Sequence, residues 1–88
     1  MTFRDRVLEI VSQIPKGSVL SYGQVAEMAG NKRAARAVGR IMNANRNKLV
    51  PCHRVIRSDG SIGGFRSGAD RKARMLKEEG YKGDWVEE

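Results

Sequence analysis

Two residues, Gly30 and Asn31, separate one amphipathic helical stretch from the next. Behind Ser21, whose hydroxyl suits an N-cap, Tyr22, Val25, Ala26 and Ala29 recur at helical spacing, and the pattern stops at Gly30. Asn31 is placed to cap a following helix from Lys32 to about Asn43, with Ala34, Ala37, Val38, Ile41 and Met42 on its inner side. Helices joined by so short a break form a helix-turn-helix pair. The remaining segments must be fitted around that pair.

Before it, Thr2 is an N-cap candidate for an amphipathic helix with Phe3, Val7, Ile10, Val11 and Ile14 inward, ending at Pro15. Pro15-Lys16-Gly17 reads as a turn, and Val19-Leu20 as a short extended piece. After the pair, residues 43–50 are polar and irregular. Val55-Ile56-Arg57 and Ser61-Ile62 flank Ser58-Asp59-Gly60, a hairpin signal. A loop, Gly63 to Gly68, leads to a last helix from Ala69 to about Glu79, with Ala69, Ala73 and Leu76 inward and Arg71, Lys72 and Arg74 outward. Gly80 ends it, and Tyr81 or Trp85 is expected to pack in the tail. The fold class that results is mainly α: a winged helix-turn-helix-like single domain over residues 1–88, with a small β-hairpin wing.

The charge is unevenly placed. The net formal charge is +7, yet residues 28–58 alone carry +8, with eight of the 17 Lys and Arg and no acidic residue. The remainder sums to −1. A basic cluster on an otherwise balanced chain is the footprint of a polyanion, here nucleic acid. Arg33, Arg36 and Arg40 fall on one face of the second helix of the pair, beside the small Ala35 and Gly39, which reads either as a recognition helix that approaches its partner closely or as a surface helix with solvated arginines. No apolar run nears the roughly 20 residues that span a bilayer. The N-terminal stretch interleaves charged with apolar residues, so no membrane contact is expected, and the location is cytoplasmic, or nuclear in a eukaryote. A monomer is expected.

The only cysteine and the only histidine stand side by side in Pro51-Cys52-His53-Arg54-Val55, inside the basic window. One cysteine makes no intramolecular disulfide, and the pair falls short of the four ligands of a structural zinc site, so neither metal nor cofactor is expected. A thiol reacts as the thiolate, and neighbouring cations and a histidine lower its pKa. Adjacent residues on an extended chain point to opposite faces. Cys52 and His53 therefore need a turn or a bridging water to act together.

Pro51-Cys52-His53-Arg54-Val55-Ile56 resembles the active-site motif of the O6-alkylguanine-DNA alkyltransferases. Other segments are similar to that family in the same order: Pro15-Lys16-Gly17 with Ser21-Tyr22-Gly23-Gln24-Val25-Ala26; Ala34-Ala35-Arg36-Ala37-Val38-Gly39; Asn43-Ala44-Asn45; Gly60; Gly63-Gly64-Phe65; and Lys77-Glu78-Glu79-Gly80. The likeness runs from about Phe3 to Gly80.

The resemblance implies binding of double-stranded DNA through the minor groove, flipping of an alkylated guanine into a pocket, and irreversible transfer of the alkyl group to the cysteine. By the same resemblance Cys52 is the acceptor. His53 is a base acting through water, Glu79 orients His53, and Asn45 holds the active-site turn. Glu78 is a one-step alternative to Glu79, and Asn43 and Asn47 compete with Asn45. Arg36 enters the duplex in place of the flipped base, or else contacts phosphate. Ala34, Ala35 and Gly39 let the helix into the groove, flanked by Arg33 and Arg40. Tyr22, Val55, Phe65 and Arg66 belong to the substrate pocket, and Tyr22 is also placed to rotate the phosphate and help protonate the leaving guanine. Flipping costs a few kcal/mol, and a planar guanidinium is suited to fill the gap.

Two features depart from the pattern. Phe65 stands where some relatives have tyrosine, and Arg66 where a small hydroxyl residue is common. Many members carry an additional N-terminal domain. This chain has instead the length of the alkyltransferase-like proteins, which bind damaged DNA, flag it for excision repair and typically have tryptophan where Cys52 stands. Three readings follow: a single-turnover alkyltransferase, a non-catalytic lesion sensor that recruits excision-repair proteins, and a plain winged-helix DNA-binding module.

Overall fold

Thr2 starts the first helix with a reciprocal cap. Its Oγ1 accepts from the Asp5 amide at 3.1 Å while the Asp5 carboxylate accepts from the Thr2 amide at 3.1 Å. This computed structural model describes residues 1–57 and 69–81, without the side chains of Ala69 and Asp70. Helix α1 (Phe3–Ser12) buries Val7 and Val11 completely, and Ile14 follows just past its end. Pro15 to Ser18 then form a β-turn closed by Ser18 N donating to Pro15 O at 3.1 Å. Gly17 takes φ 83°, which the third position of a type II turn requires. A Cβ there would lie 3.3 Å from the Glu79 carbonyl oxygen, so this turn presses on the end of the last helix.

Strand β1 (Leu20–Ser21) runs directly into α2 (Tyr22–Met28). Ser21 is both the last strand residue and the N-cap, with a second reciprocal cap to Gln24. Gly30 ends α2 with φ 99°, while Gly30 N donates to Glu27 O at 3.0 Å and Asn31 N to Ala26 O at 2.9 Å. This is a Schellman closure.

The closure explains why the next helix starts later than its sequence suggests. Helix α3 spans Ala35–Ala44, not Lys32 onward. Asn31 spends its amide on Ala26, its side chain on the Arg33 amide at 3.2 Å and its carbonyl on Ala34 N at 3.0 Å. Residues 31–34 are therefore a turn, and Ala34 takes the N-cap position with no side-chain cap. Arg33 lies on that turn; only Arg36 and Arg40 share the helix, and all three are exposed.

Val7, Val11, Ile14, Val25, Ala26, Ala29, Val38, Met42, Cys52 and Val55 form one core between the first three helices. Each fully buried valine contributes on the order of 1.5–3 kcal/mol. Strand β2 (Val55–Ile56) pairs with β1 in parallel, Leu20 opposite Val55 and Ser21 opposite Ile56, which pins the segment that holds Cys52 to the start of α2. Helix α4 (Ala69–Glu78) packs Leu76 against Ile56, with Val19, Ala73 and Tyr81 around them. Lys72, expected outward, is fully buried, whereas Arg71 and Arg74 are exposed. A second Schellman closure, Gly80 N to Lys77 O and Tyr81 N to Leu76 O, each 3.0 Å, leaves Glu79 as the C-terminal cap of α4.

The architecture is thus mainly helical and helix-turn-helix-like, with a two-strand sheet. The expected hairpin wing falls on residues outside those described, as do Phe65, Arg66 and Trp85. Among the described residues no helix is long and apolar enough to cross a membrane, and no group of three or more metal-binding side chains occurs.

Candidate active site

The segment after α3 winds tightly because its side chains bond to its own backbone. Asn45, the residue that ends α3, accepts from the Asn47 amide at 3.3 Å and donates to the Asn47 carbonyl at 3.0 Å. Asn47 in turn accepts from the Leu49 amide at 3.0 Å through its side chain and from Val50 N at 3.1 Å through its carbonyl. Pro51, at φ −78° and ψ 70°, makes an inverse γ-turn closed by Cys52 N to Val50 O at 2.8 Å. Cys52–Arg54 then form one turn of 3₁₀ helix. That turn lets neighbouring side chains share a site, as the extended chain would not.

Asn45 also donates to the Cys52 sulfur, Nδ2 to Sγ 3.0 Å. Of the asparagines weighed from sequence, it is Asn45 that meets the thiol. Burial pushes the Cys52 thiol up from its ordinary pKa, and the Asn45 hydrogen bond and the Lys72 charge oppose this. The lowering expected from His53 and the cations around Cys52 in sequence is not what acts here: the one charge that favours the thiolate is Lys72 of α4, and burial outweighs it.

His53 and Arg54 converge on Glu79. The His53 Nε2 to Glu79 Oε2 distance is 2.8 Å. Arg54 grips the same carboxylate with two bonds, Nε to Oε1 at 2.8 Å and Nη2 to Oε2 at 2.7 Å. Its third arm donates from Nη1 to the Ile14 carbonyl at 2.7 Å. A carboxylate at a helix C-terminus meets the negative end of the helix dipole. Arg54, then His53, outweigh the cost of burial and draw the Glu79 pKa down to about 2. An ionised carboxylate only accepts, so Nε2 of His53 carries a hydrogen towards it. Glu79 is thus the partner of His53, and Glu78 is exposed. Among the described residues no hydrogen bond joins Cys52 to His53 directly.

Asn45, Cys52, His53, Arg54 and Glu79 all line one open cleft of about 740 Å³. Tyr22 is not among the residues that line this cleft; it packs against the core cluster that includes Cys52. Its hydroxyl accepts from Lys72 Nζ at 3.4 Å, and the same nitrogen lies 5.5 Å from its ring centroid. Burial raises the Tyr22 pKa, and burial pushes Lys72 down to about 8. Val55 is fully buried beneath. Arg36 and Arg40 stand on the exposed side of α3, apart from the cleft; Ala34, Ala35 and Gly39 are half-buried there. Among the described residues nothing lies within 4 Å of where a Gly39 side chain would begin.

Two participants escaped the sequence reading. Arg54 is visible only as one more cation until Glu79 is brought to it. Lys72 lies on the inward stripe of α4, four residues before Leu76, and its charge alone argued against placing it inside.

Comparison with known proteins gives this site its relatives. The chain is 45% identical over 78 residues to a methylated-DNA–protein-cysteine methyltransferase of Methanothermobacter thermautotrophicus, covering 89% of this chain and 44% of that protein. It superposes on Mycobacterium tuberculosis OGT in complex with DNA with a TM-score of 0.85 at 40% identity, covering 91% of this chain and 49% of the other. It superposes on Schizosaccharomyces pombe Atl1, in complex with damaged DNA containing O6-carboxymethylguanine, with a TM-score of 0.81 at 37% identity, covering 91% and 77%. The chain thus spans about half the length, or less, of the two methyltransferases. Residues 2–81 match the family described as 6-O-methylguanine DNA methyltransferase, DNA binding domain, and the chain belongs to that family.

Proposed function

We propose that the chain binds duplex DNA, receives a flipped O6-alkylguanine and takes its alkyl group onto Cys52 in a single irreversible step. The observation that carries this is the meeting of the sole cysteine, held by Asn45, with the His53–Glu79 pair in one cleft at the end of α3. In the reaction the sulfur attacks the alkyl carbon, an S–C bond forms and the C–O6 bond breaks. The electron pair passes into the guanine, which is protonated as it leaves. The thiol proton passes through water to Nδ1 of His53, and Glu79 stabilises the imidazolium that results. Because burial keeps the thiol neutral, deprotonation belongs to the attack itself, and this is why a base is needed.

Arg36 and Arg40, exposed on α3, meet the DNA, with Arg36 filling the gap left by the flipped base and Arg33 on phosphate. Gly39 costs about 1 kcal/mol relative to alanine in a helix interior. Its open surround supports close approach of the groove. Tyr22 protonates the departing guanine, and donors aimed at the ring lower the barrier.

The second reading, a sensor that binds the lesion without chemistry, is supported by the likeness to Atl1, with a TM-score of 0.81 at 37% identity. Incubation with duplex DNA containing O6-methylguanine, followed by intact-protein mass, separates the two. A gain of one methyl group at Cys52 supports transfer; lesion-selective binding with no gain leaves the sensor. Cys52→Ser abolishes transfer and spares binding; loss of binding in that variant counts against a purely chemical role for the sulfur.

A further inference from the structure

The sequence beyond α4 has no part in the scheme above. After Tyr81 it reads Lys82-Gly83-Asp84-Trp85-Val86-Glu87-Glu88. Residues 84–88 hold three of the chain's ten acidic groups and its only tryptophan, and no cation. An acidic run built around a large apolar side chain is complementary to a surface that is basic and apolar at once.

The cleft at Cys52 is such a surface. Beside the site residues it is lined by Arg46, Lys48, Leu49, Val50, Arg71 and Met75. Arg46, Lys48 and Arg71 are exposed, and among the described residues none of them is in an ion pair. Among the described lining residues the one acid is Glu79, and Arg54 and His53 hold it. Leu49 is 86% exposed, the most open of the large apolar side chains described. A DNA backbone would answer the cations but leave Leu49 without an apolar partner.

The chain also leaves α4 beside this surface. Arg71, Met75 and Glu79 recur every four residues, so they form one row along the helix and its cap, and all three border the cleft. Gly80, at φ 86°, turns the chain at the end of that row. Arg71 lies about 12 Å back along the row from Glu79, and seven extended residues reach up to about 23–25 Å. Residues 82–88 are therefore long enough to run back over the row. Tyr22 does not line the cleft, so an occupant there and a guanine at Tyr22 use different surfaces.

We propose that residues 84–88 dock in this cleft as an acidic strap, Trp85 against Leu49 and Met75, and the carboxylates of Asp84, Glu87 and Glu88 towards Arg46, Lys48 and Arg71. The strap covers the side on which His53 meets Glu79. It also neutralises cations that would otherwise add to the attraction for any DNA sequence. Its docking does not depend on alkyl transfer.

Trp85 is the only tryptophan, so tryptophan fluorescence reports the strap alone. Emission maximum and acrylamide quenching are measured on the full chain, folded and in urea, for the wild type, Leu49→Ser, Arg71→Glu and the double variant Glu87→Lys, Glu88→Lys; circular dichroism checks that each is folded. The double variant alters only the strap, and it decides the matter should the other two not fold. In the folded wild type, Trp85 is expected to emit to the blue of the urea-unfolded chain and to be protected from acrylamide. Each variant is expected to move towards the unfolded values while still folded, with Arg71→Glu lowering the ratio of docked to free strap about 5-fold. A folded wild type whose Trp85 is as open as in urea overturns the proposal. So does protection that survives in any of the folded variants, which puts the tryptophan on another surface. Protection that is lost on dilution, with a dimer in solution, gives the cleft to the tail of a second copy and overturns docking within one chain.

Discussion

Replacing Glu79 by glutamine keeps the shape of the side chain and removes the charge that both His53 and Arg54 address. The Glu79 pKa falls from an ordinary 4.5 to about 2 in the folded chain, first through the Arg54 bonds and then through His53. At 1.36 kcal/mol per pH unit, that fall has an upper bound of about 3 kcal/mol. The carboxylate borders an open cleft, and screening there reduces the expected contribution to about 1–2 kcal/mol. The sign follows from the depressed pKa. The stabilisation is fully present above pH 4.5 and is lost as pH falls towards about 2. Urea unfolding of wild type and Glu79→Gln, run from neutral pH to about pH 2, is expected to show a gap of about 1–2 kcal/mol at neutral pH that closes on acidification. Transfer at neutral pH is expected to fall by about 10²-fold, since His53 loses the group that fixes its tautomer. A gap that is absent at neutral pH, or that persists unchanged at pH 2, refutes the ion-pair reasoning.

Other perturbations test other parts of the scheme. Asn45→Ala removes the Sγ contact and the bonds that fold residues 45–47; a loss of transfer larger than the loss of DNA affinity is expected in a paired kinetic and binding assay. Leu76→Ala empties the small cluster between α4 and β2, and thermal or urea unfolding is expected to show a loss of about 2–3 kcal/mol. Arg36→Ala is expected to reduce base flipping, read by a fluorescent base analogue opposite or beside the lesion, more than it reduces affinity for undamaged duplex.

What could be read in advance follows from how local each feature is. Thr2 with Asp5, and Ser21 with Gln24, are caps whose partners lie three residues away, so the starts of α1 and α2 were legible. Gly30 and Gly80 ended their helices for the same reason: only a residue tolerant of positive φ suits those positions. Asn31 misled because it can cap a helix or close a turn, and the bond from its amide back to Ala26 decides between them. At the site, Cys52 and His53 were conspicuous by their rarity, and the family resemblance pointed to Asn45 and Glu79. Arg54 and Lys72 were not legible. Their partners lie 25 and 50 residues away, and a charged side chain gives no local sign that the fold will enclose it.

The ties made by Arg54 also set an order of assembly. One guanidinium reaches back 40 residues to the Ile14 carbonyl and forward 25 to Glu79. Gly17, with no side chain, lets the first turn and the end of the last helix meet. Contacts so far apart in sequence form late, since the loop between them must first be closed. As the chain is synthesised, the helix-turn-helix pair and the cysteine segment exist before Glu79 has been made. Cys52 and His53 are made before Glu79, and the contact between His53 and Glu79 forms only when the end of α4 docks.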